Sequence, residues 1–225
     1  MSKGLFITGT GTDVGKTYVT GLIVKKLREL GSCAYYKAAV SGNSRAYDLS
    51  LIPGDAVFVR KVSGISQSVK EMCPYIYENA VSPHLAARIE GNPVDLEKVK
   101  QGYEALEGYD YVTMEGSGGI LCPIRLDDTE LWLEDIVSDL NLPSLLIADA
   151  GLGTINSVVL TAEYMKQKNL PLKGIIFNNF KKGDVMHEDN LRMCELRTGL
   201  RVLDCVEHGA RNLNIAAEDL AALYE

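Results

Sequence analysis

A glycine-rich loop stands near the start of the chain and reads Gly9-Thr10-Gly11-Thr12-Asp13-Val14-Gly15-Lys16-Thr17. It follows an apolar run that predicts a strand over Leu5–Thr8 and opens a helical pattern over Thr17–Leu30. In that setting small residues let successive backbone N–H groups surround a triphosphate, and the helix N-terminus adds partial positive charge. We therefore expect a phosphate-binding loop in which Lys16 reaches the β- and γ-phosphates and the Thr17 hydroxyl lies on Mg²⁺.

The spacing of this loop separates it from two alternatives. The common pattern G-x-x-x-x-G-K-[ST] would begin at Thr10, whereas this chain has its glycine at Gly9, so the loop is a variant of that pattern. A dinucleotide-binding G-x-G-x-x-G loop would need a third glycine where the chain has Val14, which disfavours NAD. A turn that binds nothing does not account for Gly-Lys-Thr between a strand and a helix.

Short aliphatic runs alternate with amphipathic stretches along the rest of the chain, a pattern typical of βα units around a parallel sheet. The further predicted strands are Cys33–Lys37, Tyr109–Glu115, Ser144–Ala148, Gly174–Asn178 and Arg201–Cys205. The further predicted helices are Asp55–Lys61, Pro83–Glu90, Asp95–Leu106, Trp132–Leu140, Ile155–Lys168, His187–Thr198 and Ile215–Tyr224. Within the poorly patterned residues 63–79, Met72–Tyr77 fits a strand or an irregular segment equally well. No linker separates two domains, so we expect residues 1–225 to form one three-layer α/β domain, a mostly parallel sheet flanked by helices as in P-loop NTPases.

The composition excludes several classes of partner. The chain has 225 residues, with 23 Lys and Arg against 30 Asp and Glu and a net charge of −7. A nucleic-acid-binding surface needs clustered positive charge, so we expect no nucleic-acid partner. The N-terminus lacks a signal-peptide core, and no run of about 18 apolar residues occurs. Five scattered cysteines form no Cys-x-x-Cys pair. We therefore expect a cytoplasmic protein with no membrane partner.

Polar residues close two further predicted strands, at the sheet edge where parallel sheets bind ligands. Lys37 ends the second strand, where a solvated lysine is the alternative to a catalytic one. Glu115 ends the third strand before Gly116-Ser117-Gly118-Gly119, and such a carboxylate suits Mg²⁺. Asp55, on sequence alone, fits a helix N-cap better than a ligand.

Two later segments each fit either a binding role or a purely structural turn. The loop Gly151-Leu152-Gly153-Thr154 either binds an anion or forms a tight turn with Thr154 as the helix N-cap. Asn178 and Asn179 either contact a base edge or form an Asx-type turn. The three histidines, His84, His187 and His208, show no metal spacing, and we interpret them as structural.

In these residues the chain resembles the dethiobiotin synthetases over nearly its whole length. The matching motifs, in family order, are Thr8-Gly9-Thr10-x-Thr12-Asp13-Val14-Gly15-Lys16-Thr17, Lys37-x-x-x-Ser41-Gly42, Asp55, Ser82-Pro83-His84, Glu115-Gly116-x-Gly118-Gly119, Gly151-x-Gly153-x-Ile155-Asn156 and Asn178. The resemblance implies a homodimer with the substrate site at the subunit interface. It also implies ATP-dependent closure of a cyclic urea on 7,8-diaminononanoate (DAPA) with CO₂, through a carbamate and a carbamic–phosphoric anhydride.

The resemblance assigns a role to each matching residue. Lys37 and Lys16 are implied to be catalytic, and the implied Mg²⁺ ligands are Thr17, Asp55 and Glu115. The implied nucleotide contacts are Thr12, Asp13, Val14, Gly15, Lys16, Thr17, Tyr18, Asp55, Glu115, Gly116, Ser117, Gly118, Asn178 and Asn179. The implied substrate contacts are Ser41, Leu152, Gly153 and Asn156.

The chain departs from the family pattern at several positions. Ala38 and Ser117 stand where proline and alanine are common, and Asn190 stands where some members have tyrosine. The segment Cys205-Val206-Glu207-His208, which should complete the adenine pocket, lacks the expected proline.

Two other functions use similar loops. A cobyrinate-type amide-forming ligase carries an additional glutaminase domain, for which this chain has no room. A switch ATPase of the MinD or partition type needs a lysine at the position of Gly11 and a membrane- or DNA-binding patch, and the sequence has neither.

Overall fold

The computed structural model describes residues 2–225, in which strands and helices alternate. The strands are β1 Lys3–Gly9, β2 Cys33–Tyr36, β3 Ala39–Val40, β4 Ser44–Arg45, β5 Leu51–Ile52, β6 Tyr75–Ile76, β7 Tyr111–Glu115, β8 Pro123–Leu126, β9 Glu130–Trp132, β10 Ser144–Asp149, β11 Leu172–Phe180 and β12 Val202–Glu207. The helices are α1 Lys16–Leu27, α2 Gly54–Ser63, α3 Val69–Met72, α4 Pro83–Ile89, α5 Leu96–Glu104, α6 Leu133–Asp139, α7 Thr154–Gln167, α8 Val185–Thr198 and α9 Ala217–Ala221.

Six strands form one parallel sheet in the order β12-β11-β10-β1-β7-β2. Its central strands are buried along most of their length because helices cover both faces of the sheet. Leu5 and Ile7 of β1 belong to the core shared with α1 and α2, whereas Phe6 between them belongs to the core shared with α4, α5 and α6. The predicted three-layer α/β fold with a parallel sheet is confirmed.

The strand order determines where a ligand can bind. β1 lies between β7 and β10, and the chain runs from β1 to β2 past the position that β7 fills. A crevice opens at the carboxyl ends of parallel strands where connections leave in opposite directions. The loops that follow β1, β2 and β7 therefore meet at this end of the sheet.

Each predicted strand and helix has a counterpart, with shifted ends. The predicted helix Thr17–Leu30 ends at Leu27, and the predicted helix Ile215–Tyr224 is shortened to α9. The short strands β3, β4, β5, β8 and β9 and the one-turn helix α3 were not predicted, because elements of two to four residues are too short to show a period.

Residues 63–79 cover the outer edge of β2. The Tyr35 N–H donates to Gln67 Oε1 at 2.8 Å, and the Lys37 N–H donates to the Met72 carbonyl at 2.8 Å. The Met72–Tyr77 run contains only the two-residue strand β6, which pairs with β3. An exposed sheet edge invites aggregation, and this segment covers it.

No helix within residues 2–225 has the length and apolar character that crossing a bilayer requires.

Candidate active site

The glycine-rich loop joins β1 to α1 and places Lys16 at the first position of that helix. Gly15 is the N-cap residue, with φ of 88°. Only glycine adopts such a backbone at low cost, so the turn itself requires Gly15. The Lys16 ammonium folds over the loop and donates to the Gly11 carbonyl at 2.7 Å. Lys16 and the N-terminus of α1 line one cleft, an arrangement that suits an anion.

Asn178 holds the loop from strand β11, which is separated from β1 by β10 in the sheet. Its Nδ2 donates to the Val14 carbonyl at 3.1 Å, and its side chain is almost fully buried. A Cβ placed on Gly15 would collide with Nδ2 of Asn178. The close approach of loop and strand therefore requires both a glycine at 15 and the amide at 178.

A compact cluster of charged side chains lies beside the loop. The Lys37 ammonium donates to Asp55 Oδ2 and to Glu115 Oε1, each at 2.7 Å. The Thr17 hydroxyl donates to the same Glu115 oxygen at 2.7 Å. Lys37 is 5% exposed and Glu115 is 1% exposed, so these charges are largely removed from water. Buried charges of this kind are stable only when paired, and each of them is.

Sheet register explains how Lys37 and Glu115 meet. β2 and β7 pair in parallel with Tyr35 opposite Thr113. Two residues further toward the carboxyl ends, the chain reaches Lys37 on one strand and Glu115 on the other. Since side chains alternate between sheet faces, both point to the face that Tyr35 and Thr113 share. Lys37 follows β2 directly rather than closing it.

Asp55 reaches the cluster from the first turn of α2. The N-cap of that helix is Pro53, and the Asp55 carboxylate is bound to Lys37. The interpretation of Asp55 as a helix N-cap is therefore wrong. The sequence signal misled because an N-cap and a ligand both place an aspartate at the start of a helix.

Asn43 was not predicted as a site residue, yet it fixes the segment that carries Asp55. Its Oδ1 accepts from the Gly54 N–H at 3.0 Å. Its Nδ2 donates to the Val40 carbonyl at 3.0 Å and to the Tyr77 carbonyl at 2.8 Å. One buried amide thus joins both ends of the β4–β5 excursion. No local pattern marks it, because two of its three partners, Gly54 and Tyr77, are 11 and 34 residues away in sequence.

The two lysines have opposite pKa shifts. Burial lowers the pKa of Lys16, and the charge of Lys37 lowers it further, to about 8. Burial acts in the same direction on Lys37, but the carboxylates of Glu115 and Asp55 outweigh it and hold the pKa of Lys37 above its ordinary value. Lys37 therefore stays charged throughout the neutral range, whereas Lys16 titrates just above it.

The donor chemistry of the cluster fits Mg²⁺. Asp55, Glu115 and Thr17 offer carboxylate and hydroxyl oxygens, which are the ligands that this hard cation prefers. Within residues 2–225, no three or more His, Cys, Asp or Glu side chains are grouped to hold a metal ion. A cation at this cluster would thus complete its coordination with oxygens from phosphate or water, as Mg²⁺ commonly does.

The cluster and the loop line a cleft of about 460 Å³. Every lining residue except Val40 belongs to the set named from sequence, including Thr12, Asp13, Tyr18 and Gly118. Ser41 lines it beside Lys37, and Ser117 lines it while its hydroxyl donates to the Ala39 carbonyl at 2.8 Å.

Four residues expected at the nucleotide do not line the cleft, namely Val14, Gly116, Asn178 and Asn179. Val14 contributes its carbonyl to Asn178. Gly116 packs in the core, where an added Cβ would lie 2.7 Å from the Phe6 ring and 2.8 Å from Leu133. Gly116 is thus required by packing.

The third glycine loop lies outside this cleft. Leu152 is 91% exposed, and Gly153 and Asn156 are also exposed. The N-cap of α7 is Gly153, so the interpretation of Thr154 as the N-cap is wrong. Asn190 donates to the carbonyls of Ala150 and Gly151 at 2.9 and 3.1 Å. Asn190 therefore anchors the start of the loop, and the tip of the loop is exposed to solvent.

The remaining candidate residues make contacts with three different parts of the fold. The Asn179 amide donates to Asp149 Oδ2 at 2.7 Å, next to the third loop. His84 Nδ1 lies 3.0 Å from Ser82 Oγ at the start of α4, away from the cleft. The Tyr18 hydroxyl donates to the Ala210 carbonyl, which ties α1 to the segment after β12.

Solved structures share this fold at low sequence identity. A ParA family ATPase from Chlorobium tepidum has a TM-score of 0.56 at 13% identity, over 92% of this chain and 85% of that one. A putative plasmid partition protein from Borrelia burgdorferi has a TM-score of 0.54 at 12% identity, over 99% and 97%. These similarities show the fold alone, and they confirm its P-loop NTPase-like architecture.

Sequence relatives are far closer. A family model described as an AAA domain matches residues 3–211. The ATP-dependent dethiobiotin synthetase BioD of Brachyspira hyodysenteriae is 48% identical over 228 residues, which cover 100% of both chains. The enzyme of that name from Clostridium botulinum strain Loch Maree is 46% identical over 227 residues, 100% of this chain and 99% of its own. Identity at this level over the full length shows that the chain belongs to the ATP-dependent dethiobiotin synthetase family of ligases.

Proposed function

We propose that this chain is a dethiobiotin synthetase that uses ATP and CO₂ to close the cyclic urea of dethiobiotin on DAPA. The observation that carries the proposal is the Lys37 ammonium, held at 2.7 Å from two carboxylates beside a phosphate loop. Phosphoryl transfer between anions needs positive charge fixed in place and little covalent help from the protein. Lys37 and Lys16, which line the same cleft, supply that charge.

In the reaction we propose, one DAPA amine attacks CO₂ and loses a proton, giving a carbamate. A carbamate oxygen then attacks the γ-phosphorus of ATP, and ADP leaves. The second amine attacks the carbonyl carbon of this carbamic–phosphoric anhydride, which closes the ring and expels phosphate. Because the pKa of Lys37 is raised, Lys37 acts as a fixed cation for the carbamate and not as a base. Ser41 lies in the cleft where it can donate to the same group.

Thr17, Asp55 and Glu115 are the residues that would hold Mg²⁺. When bound, this ion neutralises charge on the β- and γ-phosphate oxygens. The chain's own residues hold the nucleotide: the loop N–H groups surround the phosphates, and Lys16 donates to their oxygens. Asn178 has its Nδ2 committed to the Val14 carbonyl. Its contact with adenine would use Oδ1, an acceptor that suits an exocyclic amino group, or the second N–H of Nδ2, a donor that suits a ring nitrogen.

We further propose that the chain works as one domain in a homodimer. Leu152, Gly153 and Asn156 lie outside the cleft, with the loop tip exposed. Because these residues do not line the cleft of their own chain, we place the substrate carboxylate against them from another subunit's cleft. The N-terminus of the 14-residue helix α7 behind the loop favours an anion. The five free cysteines support placing this enzyme in the reducing cytoplasm.

A switch ATPase is the second candidate because of the structural neighbours, but that likeness extends to fold only. The test is to incubate purified protein with DAPA, labelled bicarbonate, Mg²⁺ and ATP. Mass spectrometry should show dethiobiotin carrying the label, formed in equal amounts with ADP. ATP hydrolysis that is independent of DAPA, with no dethiobiotin, would favour the switch ATPase instead.

A further inference from the structure

Tyr35 lies directly behind the charged cluster. It stands on β2 two residues before Lys37 and is fully buried. Its hydroxyl donates to Glu115 Oε2 at 3.1 Å. Neither the sequence motifs nor the family resemblance assigned this residue a role.

The two oxygens of Glu115 have different partners. Oε1 accepts from Lys37 and from Thr17, whereas Oε2 accepts from Tyr35. A carboxylate can turn about its terminal bond unless both of its oxygens are held, since that torsion is broad and roughly two-fold. Partners behind a metal ligand commonly fix its orientation in this way.

We propose that Tyr35 is a positioning residue that orients the Glu115 carboxylate, so that Oε1 faces Lys37, Thr17 and the bound Mg²⁺. This inference rests on the proposed metal site. Tyr35 is suited to the task because its own position is fixed. Its backbone N–H donates to Gln67 Oε1 at 2.8 Å, and its ring belongs to the core shared with α1 and α2.

Tyr36 provides a matched control on the same strand. It is equally buried, but it belongs to the core on the opposite face of the sheet. Its hydroxyl donates to the Val99 carbonyl at 2.7 Å. Tyr35→Phe and Tyr36→Phe therefore each remove one buried hydroxyl, and only the first removes a partner of Glu115.

The experiment measures ADP binding by calorimetry, first in EDTA and then across a Mg²⁺ titration. ADP affinity in EDTA should be unchanged in both variants. Adding Mg²⁺ should increase the affinity for ADP. The Mg²⁺ concentration that gives half of this increase should be roughly 10-fold higher for Tyr35→Phe than for the wild type, the size expected for losing a partner behind a metal ligand. It should not change in Tyr36→Phe, and thermal unfolding should show a similar loss of stability in both.

An unchanged Mg²⁺ titration in Tyr35→Phe would overturn the inference, as would an equal shift in Tyr36→Phe. If Tyr35→Phe alone fails to fold, its role is structural and the inference is also overturned. A second measurement places Tyr35→Phe in a Glu115→Gln background, where it should have no further effect on the titration. Because ADP binding needs neither DAPA nor CO₂, this result stands apart from the dethiobiotin assay, and either can fail alone.

Discussion

Lys16 and Lys37 line the same cleft, and the positive charge of Lys37 lowers the pKa of Lys16. The two ammonium groups differ in their partners. Lys37 donates to two carboxylates, whereas Lys16 donates to the neutral carbonyl of Gly11. One lysine is thus a permanent charge, and the other is a charge that a modest rise in pH removes.

Nucleotide affinity should fall as pH rises through about 8, the pKa of Lys16 in the nucleotide-free protein. Below this pKa the ammonium is charged and attracts phosphate, and above it the neutral amine does not. Calorimetric Kd values for ADP at pH values on both sides of this pKa measure the effect. The pH at which the affinity begins to fall is the break in the pH profile. Lys16→Arg should remove this break, because arginine stays charged. Lys37→Ala should move the break upward by removing a positive neighbour.

A wild-type affinity that stays constant well above this pH would contradict the assignment of the break to Lys16. A fall of ADP affinity at the same pH in Lys16→Arg as in the wild type would also contradict this assignment.

Lys37→Ala should lose dethiobiotin formation by orders of magnitude while keeping much of the nucleotide affinity. It should also lower the free energy of unfolding by roughly 3–5 kcal/mol, because it leaves the buried Glu115 carboxylate without its cation. Rate measurements at saturating ATP and denaturant titrations test the two effects. Undiminished turnover would remove Lys37 from the catalytic residues.

The control for this variant is Lys100→Ala. Lys100 pairs with Asp139 at 2.9 Å on the surface, where both side chains keep contact with water. An exposed pair of this kind contributes about 0–1 kcal/mol, so stability and turnover should change little. A large loss of stability or turnover in Lys100→Ala would mean that removing a lysine acts through the net charge of the protein and not through a specific contact.

Local sequence was sufficient for most of the fold. The loop ending in Gly15 and Lys16 is recognisable because its residues are consecutive, and β1 before it contains the apolar run Leu5-Phe6-Ile7. Strand ends then located Lys37 and Glu115, since parallel strands bring their carboxyl ends together. The strand order, with β7 inserted between β1 and β2, could not be obtained from periodicity.

What sequence could not show is contact between distant residues. Asn43 bonds to Gly54 and Tyr77, and Tyr35 bonds to Glu115, only because the folded chain brings them together. Asp55 was ambiguous for the same reason, since its partner Lys37 lies on another element. Polar residues with long-range partners therefore account for most of the site that sequence patterns missed.

Glu115→Gln should raise the Mg²⁺ concentration needed for half-maximal activity by at least about ten-fold. The amide keeps the shape of the side chain but offers the cation no negative charge. Glu134→Gln is the control, because Glu134 bonds to Tyr164 and Lys168 outside the cleft. Activity followed across a Mg²⁺ titration distinguishes them. Equal metal dependence in wild type and Glu115→Gln would count against Glu115 as a ligand.

Gly15→Ala should damage both stability and nucleotide binding through two separable effects. The first is backbone strain at φ of 88°, which costs a residue other than glycine about 1–2 kcal/mol. The second is the collision of the new Cβ with Asn178 Nδ2, which pushes the amide away from the loop. We expect ADP affinity to fall at least ten-fold, since the loop N–H groups lose their arrangement.

Gly183→Ala separates the two effects. Gly183 has φ of 80°, and an added Cβ there meets nothing within 4 Å, so this variant carries the strain without the collision. It should lose a similar strain energy and keep its ADP affinity. Gly15→Ala combined with Asn178→Ala should regain part of the stability that Gly15→Ala loses, because the colliding amide is gone. If both glycine variants lose the same stability and neither weakens ADP binding, close packing of the loop against Asn178 is not what the nucleotide site requires.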